Sequence, residues 1–222
     1  MGKRLPIRGE KTVVDHITAG LGKIAAALRN QAWEGGIERK LTPTQGQILV
    51  FLGDREGQSV RLNDVASALC LSAATASDAI ITLVEKQLVK KERSADDQRA
   101  LVLTLTAAGR REAQETRGWT AVVDAGVRSL TQDEQAAFLR GLTKVIHGLQ
   151  AQGVISVVRM CAGCTYFQPY VHTDTAKPHH CGLVNKPLGE GQLRLDCPDF
   201  VPGEAVELQR RWDVFVNGGE GR

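Results

Sequence analysis

The chain has 222 residues, 42% hydrophobic and 24% charged, with a formal net charge of +3. That is enough apolar content for one packed core plus an appendage, and it excludes a disordered or fibrous chain. No apolar run is long enough to span a bilayer, and Met1-Gly2-Lys3-Arg4-Leu5-Pro6 lacks a signal peptide's apolar centre, so the expected location is the cytoplasm.

Val13, Ile17, Leu21, Ile24 and Leu28 recur at helical spacing and predict an amphipathic helix from about 12 to 33. Thr42-Pro43-Thr44-Gln45 opens a second helix: Thr42 caps, Pro43 suits the first helical position, and Gln45 completes a capping box. Ile48, Leu49 and Leu52 are its expected buried face. A short helix, Leu62 to Leu69, a turn, Cys70-Leu71-Ser72, and a second helix, Ala73 to Gln87, then form a helix-turn-helix. A basic hairpin follows from Leu88 to Leu105, with its tip at Ser94-Ala95-Asp96-Asp97-Gln98-Arg99 and an alternating return strand carrying Leu101, Leu103 and Leu105. The periodicity continues as one long helix from Thr106 to roughly Val127. Thr131-Gln132-Asp133-Glu134 caps a last long helix that ends at Gly153.

That order of elements is a winged helix-turn-helix, which presents one helix to the major groove of double-stranded DNA. The second helix of the motif starts with small and polar residues. Ser72, Thr75 and Ser77 can donate to phosphates or bases there, although Ser72 as a simple helix cap is the blander alternative. Lys90, Lys91 and Arg93 on the hairpin, and Arg99 at its tip, are the candidate wing contacts. Five basic residues face five acidic ones across 72–99, so affinity rests on a few placed cations and not on a broad field. Over the whole chain, the positive surplus lies in residues 1–153, and 154–222 are slightly acidic.

From about residue 12 to 150 the chain resembles the MarR family of bacterial transcriptional regulators. The resemblance is carried by Leu69-Cys70-Leu71-Ser72, by Leu83-Val84-Glu85-Lys86-Gln87-Leu88-Val89, and by Asp97-Gln98-Arg99-Ala100-Leu101-Val102-Leu103-Thr104-Leu105-Thr106-Ala107-Ala108-Gly109. It implies a homodimer with paired winged domains, repression by occupancy of a palindromic operator, and release when a small-molecule effector, metal or oxidant changes the spacing of the wings. The long helices at both ends of this region have more apolar face than one small core needs, which fits a dimer interface. Gln98 stands where the family usually has a second basic residue, and Cys70 occupies a turn position often held by Gly.

Beyond Gly153 the chain leaves that pattern. Cys161, Cys164, Cys181 and Cys197 have the form C-x2-C-x16-C-x15-C among scattered Pro and Gly. In a cytosolic chain such a quartet reads as metal or iron–sulfur ligation before disulfide bonding. Residues 154–222 are therefore expected to form an irregular module stapled by four thiolates around one centre. Tetrahedral zinc fits the Cys161–Cys164 spacing. An iron–sulfur cluster tolerates the isolated Cys181 and Cys197, and Cys197-Pro198 is similar to the end of bacterial ferredoxin runs; the cluster is the favoured of the two. His172, His179 and His180 surround Cys181 as alternative ligands or as donors supporting the thiolates, but four cysteines suffice without them. No nucleophile–base pair, phosphate loop or paired carboxylates stand outside the tail, so the chain is not expected to be an enzyme. The alternatives are a protein-interaction module with a structural zinc tail and a thiol redox protein using Cys161 and Cys164.

Overall fold

Hydroxyl caps decide where most of the helices begin. Thr12, Thr42, Ser72, Thr106 and Thr131 each accept a hydrogen bond from the backbone N–H three residues on. Asp15, Gln45 and Glu134 return the bond to Thr12, Thr42 and Thr131, closing three capping boxes. A computed structural model describes residues 11–93, 100–156 and 158–218, with backbone alone for 120–122. Its winged part runs α1 (Val13–Arg39), α2 (Pro43–Gly53), α3 (Leu62–Ala68), α4 (Ala73–Glu85), β1 (Val89–Arg93), β2 (Leu101–Leu105), α5 (Ala107–Thr116), α6 (Ala121–Arg128) and α7 (Gln132–Ala151).

β1 and β2 pair antiparallel from Val89↔Leu105 to Arg93↔Leu101, and the Leu103 N–H also donates to the Val60 carbonyl (2.8 Å). Ile48, Leu49, Val65, Ile80, Leu83 and Val89 form the centre of the core, so α2, both helices of the helix-turn-helix and the wing share one apolar cluster. Lys86 Nζ donates to Gln45 Oε1 (3.0 Å), tying the end of α4 to the start of α2. Cys70 adopts φ +53°, the left-handed region that favours glycine, which accounts for glycine being usual in this turn.

Two helices differ from their sequence expectation. α1 runs six residues further, to Arg39, because Gly35 and Gly36 keep the helix close to Trp119 and to the Leu41 backbone. The expected single helix after the wing is broken: a 3-10 turn at Arg117–Thr120 separates α5 from α6. The break turns Trp119 into a slot where added Cβ atoms at Gly35 and Gly46 would come within 2.3 Å of its ring.

The tail is more regular than expected. β3 (Phe167–Gln168), β4 (His179–Cys181) and β5 (Lys186–Leu188) form an antiparallel sheet in that order, and α8 (Ala205–Val216) closes the chain. Phe167, Leu193 and Phe215 make a second apolar cluster against Leu139 of α7, so the tail docks on α7 instead of forming the irregular module expected. The spacing of prolines and glycines concealed strands of only two or three residues. Among the described residues no single helix is long and apolar enough to cross a membrane.

The start of α5 depends on one close approach. A Cβ at Gly109 would lie 1.9 Å from the Leu88 carbonyl oxygen, which itself accepts from Thr106 N–H (3.0 Å). Gly109→Ala is expected to cost about 1–3 kcal/mol through forced displacement at the wing's root, read as a lowered urea midpoint at unchanged slope.

Candidate nucleic-acid interface and cysteine site

The outer face of the helix-turn-helix and wing collects most of the residues singled out for DNA. Ser72 and Thr75 are exposed at the first turn of α4, and Lys90, Lys91 and Arg93 are exposed along β1. Ser72 Oγ accepts from Thr75 N–H (3.0 Å) and lies 2.8 Å from Thr75 Oγ1, so the two hydroxyls cap the helix as well as lining its outer face. Ser77 is half-buried beside Ala76 and sits less squarely on that face than Asp78 and Ile81, both exposed one turn on. Ile81 was passed over because apolar residues of α4 read as core. Arg99 lies outside the described residues.

In the tail, Cys161, Cys164, Cys181 and Cys197 all line one cavity of about 60 Å³. Cys161 and Cys164 flank a single 3-10 turn, with Cys164 N–H donating to the Cys161 carbonyl (3.0 Å), while Cys181 is placed by the pairing of β4 with Phe167. Cys197 is held by its N–H donating to the Arg159 carbonyl (2.8 Å). None of the four is in a disulfide. Burial pushes the Cys161 thiol up; the Arg194 N–H donated to its sulfur (3.2 Å) opposes that, and the other three thiols add to it. The Arg194 guanidinium also donates to Cys197 Sγ (3.7 Å). As the side chains stand, no group of three or more His, Cys, Asp or Glu among the described residues could hold a metal ion.

The two halves meet across a cleft of about 810 Å³. Leu28 and Ala32 of α1, Phe51 of α2, Leu69 and Trp119 line one side, and Val158, Arg159, Leu195 and Asp196 of the tail line the other. Arg55, just past α2, is 5% exposed and reaches both oxygens of Asp196 at 2.5 Å.

The sequence signature of the MarR family matches residues 41–101, from the start of α2 to the wing. The HTH-type transcriptional regulator MgrA of Staphylococcus aureus is 30% identical over 118 residues, covering 53% of this chain and 80% of MgrA. The chain belongs to the MarR family. Solved structures agree on the fold. MepR of S. aureus in its DNA-binding conformation superposes with a TM-score of 0.56 at 23% identity, over 60% of this chain and 98% of MepR. The S. aureus MepR–DNA complex gives 0.53 at 24% identity, over 64% and 100%. The protein is thus a MarR-type DNA-binding transcriptional regulator, and about a third of it, at that 64% coverage, has no counterpart in MepR.

The histidines of this MarR protein's tail do not line the cysteine cavity. His179 is fully buried in the second core; its Nδ1 accepts from Tyr170 N–H (3.2 Å) and its Nε2 lies 3.3 Å from Glu190. His172 and His180 pair with each other (3.1 Å). Arg140 of α7 reaches Glu190 (3.1 Å), Tyr170 Oη (3.2 Å) and the Phe215 carbonyl (2.8 Å), locking the tail onto α7. Burial pushes the Glu190 carboxyl up, but His179, Tyr170 and Arg140 outweigh it and hold it below its ordinary value. Sequence reasoning missed Arg55, Arg140, Arg194 and Asp196. A lone charged residue carries no periodic signal, and each is given its role by a partner distant in the chain.

His147 of α7 stacks on Trp212 of α8, with ring centroids 3.5 Å apart, and burial lowers its pKa from the ordinary 6.5. A base with a depressed folded pKa takes up its proton first in the unfolded chain. Its contribution is therefore complete above pH ~6.5 and is lost as pH falls below that value. Urea unfolding followed by tryptophan fluorescence should show this acid sensitivity reduced in His147→Phe, which keeps the stack without the proton.

Proposed function

We propose that this MarR protein is a homodimeric repressor that occupies a palindromic operator, and that its tail holds an iron–sulfur cluster reporting redox or metal status. Dimerisation is supported by α1: residues 13–19 are all exposed, with Val13 at 73%, Val14 at 70% and Ile17 at 56%. An amphipathic helix with an uncovered apolar stripe needs a second surface. Phe138 and Val145 of α7, seven residues apart, are a second exposed apolar pair. Each recognition helix α4 then enters a major groove by its first turns, where Ser72, Thr75 and Ser77 stand, while Lys90, Lys91, Arg93 and Arg99 of the wing meet the backbone and adjoining minor groove.

The cofactor assignment rests on one observation: all four cysteines line a single cavity of about 60 Å³. One water needs only ~10–15 Å³ on the same measure. A zinc ion draws four sulfurs to about 2.3 Å from a single centre. A cluster instead takes one thiolate at each corner and keeps the sulfurs apart around its own volume. Cys161, Cys164, Cys181 and Cys197 are the ligands, and the cluster supplies a redox-active, oxygen-sensitive centre. The two N–H groups that Arg194 offers to Cys161 and Cys197 are the donors that adjust its potential.

Protein purified without oxygen is expected to be brown and to contain iron and acid-labile sulfide in equal amounts. A colourless protein with one zinc per chain would make the tail a structural staple instead. DNA binding should weaken steeply with salt, and Lys90→Ala or Lys91→Ala should each reduce the slope by about one. A salt slope unaltered by either change would remove the wing from the interface.

A further inference from the structure

We infer that the cysteine site governs DNA binding through a single ionic clip: Asp196, carried on the loop that presents Cys197, closes onto Arg55 of the winged domain while the thiols hold their metal centre. The inference rests on the reading of those four cysteines as ligands and adds how their state reaches the DNA-reading helices.

Asp196 has no independent support on the tail side. It lies between Arg194 and Cys197, and that segment is laced to residues 159–161 at both ends. Cys161 N–H donates to the Arg194 carbonyl (2.9 Å), Arg194 N–H donates to Cys161 Sγ (3.2 Å), and Cys197 N–H donates to the Arg159 carbonyl (2.8 Å). Arg159 also donates to the Pro198 carbonyl. The laced loop is therefore bonded to one of the four ligands, Cys161, at its start and ends on another, Cys197. When those sulfurs are tied to one centre, both ends of the loop are fixed; when they are released, only the main-chain bonds at Arg194 and Cys197 and the Arg159–Pro198 contact hold the loop that carries Asp196.

On the opposite side, Arg55 belongs to the winged core. Its guanidinium lies 3.8 Å over the Phe51 ring, and its Nε, buried, has no hydrogen-bond partner among the described residues. Asp196 is the carboxylate that compensates this buried charge, and it remains half-exposed, so the contact can open towards solvent. A buried cation deprived of its counter-charge must leave its place, because solvation in an apolar site does not compensate it. Movement there is felt by DNA. Arg55 and Asp196 line the same cleft as Asp64, Ser67 and Leu69 of α3 and its turn, and α3 packs directly against the recognition helix α4. A two-fold reader needs its two recognition helices at one fixed separation. The clipped form has that geometry preorganised and binds operator more tightly than the released form.

The test uses full-length protein purified without oxygen and a duplex selected from a random-sequence library by the wild type as isolated. Affinity is measured before and after the metal is stripped. In the wild type, stripping should weaken binding roughly tenfold, inside the ~5–150-fold range typical of site-to-site coupling. Asp196→Asn should keep its iron, sulfide and visible spectrum, bind like stripped wild type, and lose nothing further on stripping. Asp196→Glu should restore the wild-type difference, which a merely structural role would not predict. An Asp196→Asn protein with a full complement of metal and wild-type affinity would overturn the clip, as would stripped wild type binding as tightly as loaded. Protein that holds neither iron nor zinc as isolated would fail at the level of the cysteine reading, and metal analysis alone would reveal it.

Discussion

A guanidinium withdrawn from water is the constraint on which the rest of the architecture turns. Arg55 is 5% exposed, stacked on an aromatic ring of the winged core, and its charge is met by a carboxylate 141 residues away in the sequence. Removing the carboxylate would leave the guanidinium uncompensated in an apolar setting, which is strongly destabilising. The winged part and the tail are therefore not independent beads on a string. Each supplies the other with something it cannot provide alone.

The second tie between them is α7, and it works by a different kind of force. One side of α7 receives the tail through Leu139, Arg140 and His147, which meet Phe215, Tyr170 and Trp212. Another side keeps Phe138 and Val145 open. A single helix thus carries an internal contact on one stripe and an apolar surface on another, so the tail is added to a MarR framework without covering that surface. The ionic contact at Arg55 is small and polar, whereas the α7 contact is broad and aromatic. The first suits a junction that opens, and the second suits one that stays shut.

The sequence made the winged part legible because its signals are local. Thr42, Thr106 and Thr131 with the residues three positions on fix helix starts, and the alternation of Leu101, Leu103 and Leu105 fixes the return strand. The break at Arg117–Thr120 was not legible, since it depends on Trp119 finding room beside Gly35 and Gly46 on other helices. The four cysteines could be grouped from spacing alone, and the structure brings them to one cavity. The histidines that the sequence placed beside them turn out to serve the tail's core and each other: His179 meets Tyr170 and Glu190, and His172 pairs with His180. The small sheet escaped notice for want of length: strands of two or three residues carry too few side chains to establish a period.

If two chains pair as proposed, the uncovered first half of α1 gives this protein a dependence on its own abundance. A helix that finds its apolar complement only on a second molecule is ordered by association, so its stability is set partly by how much of the chain is present. The paired form then grows with the square of chain concentration at low levels, and the readiness of the DNA-reading surface grows with it. In that proposed pairing, seven exposed residues at the start of one helix make the response to gene dosage sharper than proportional.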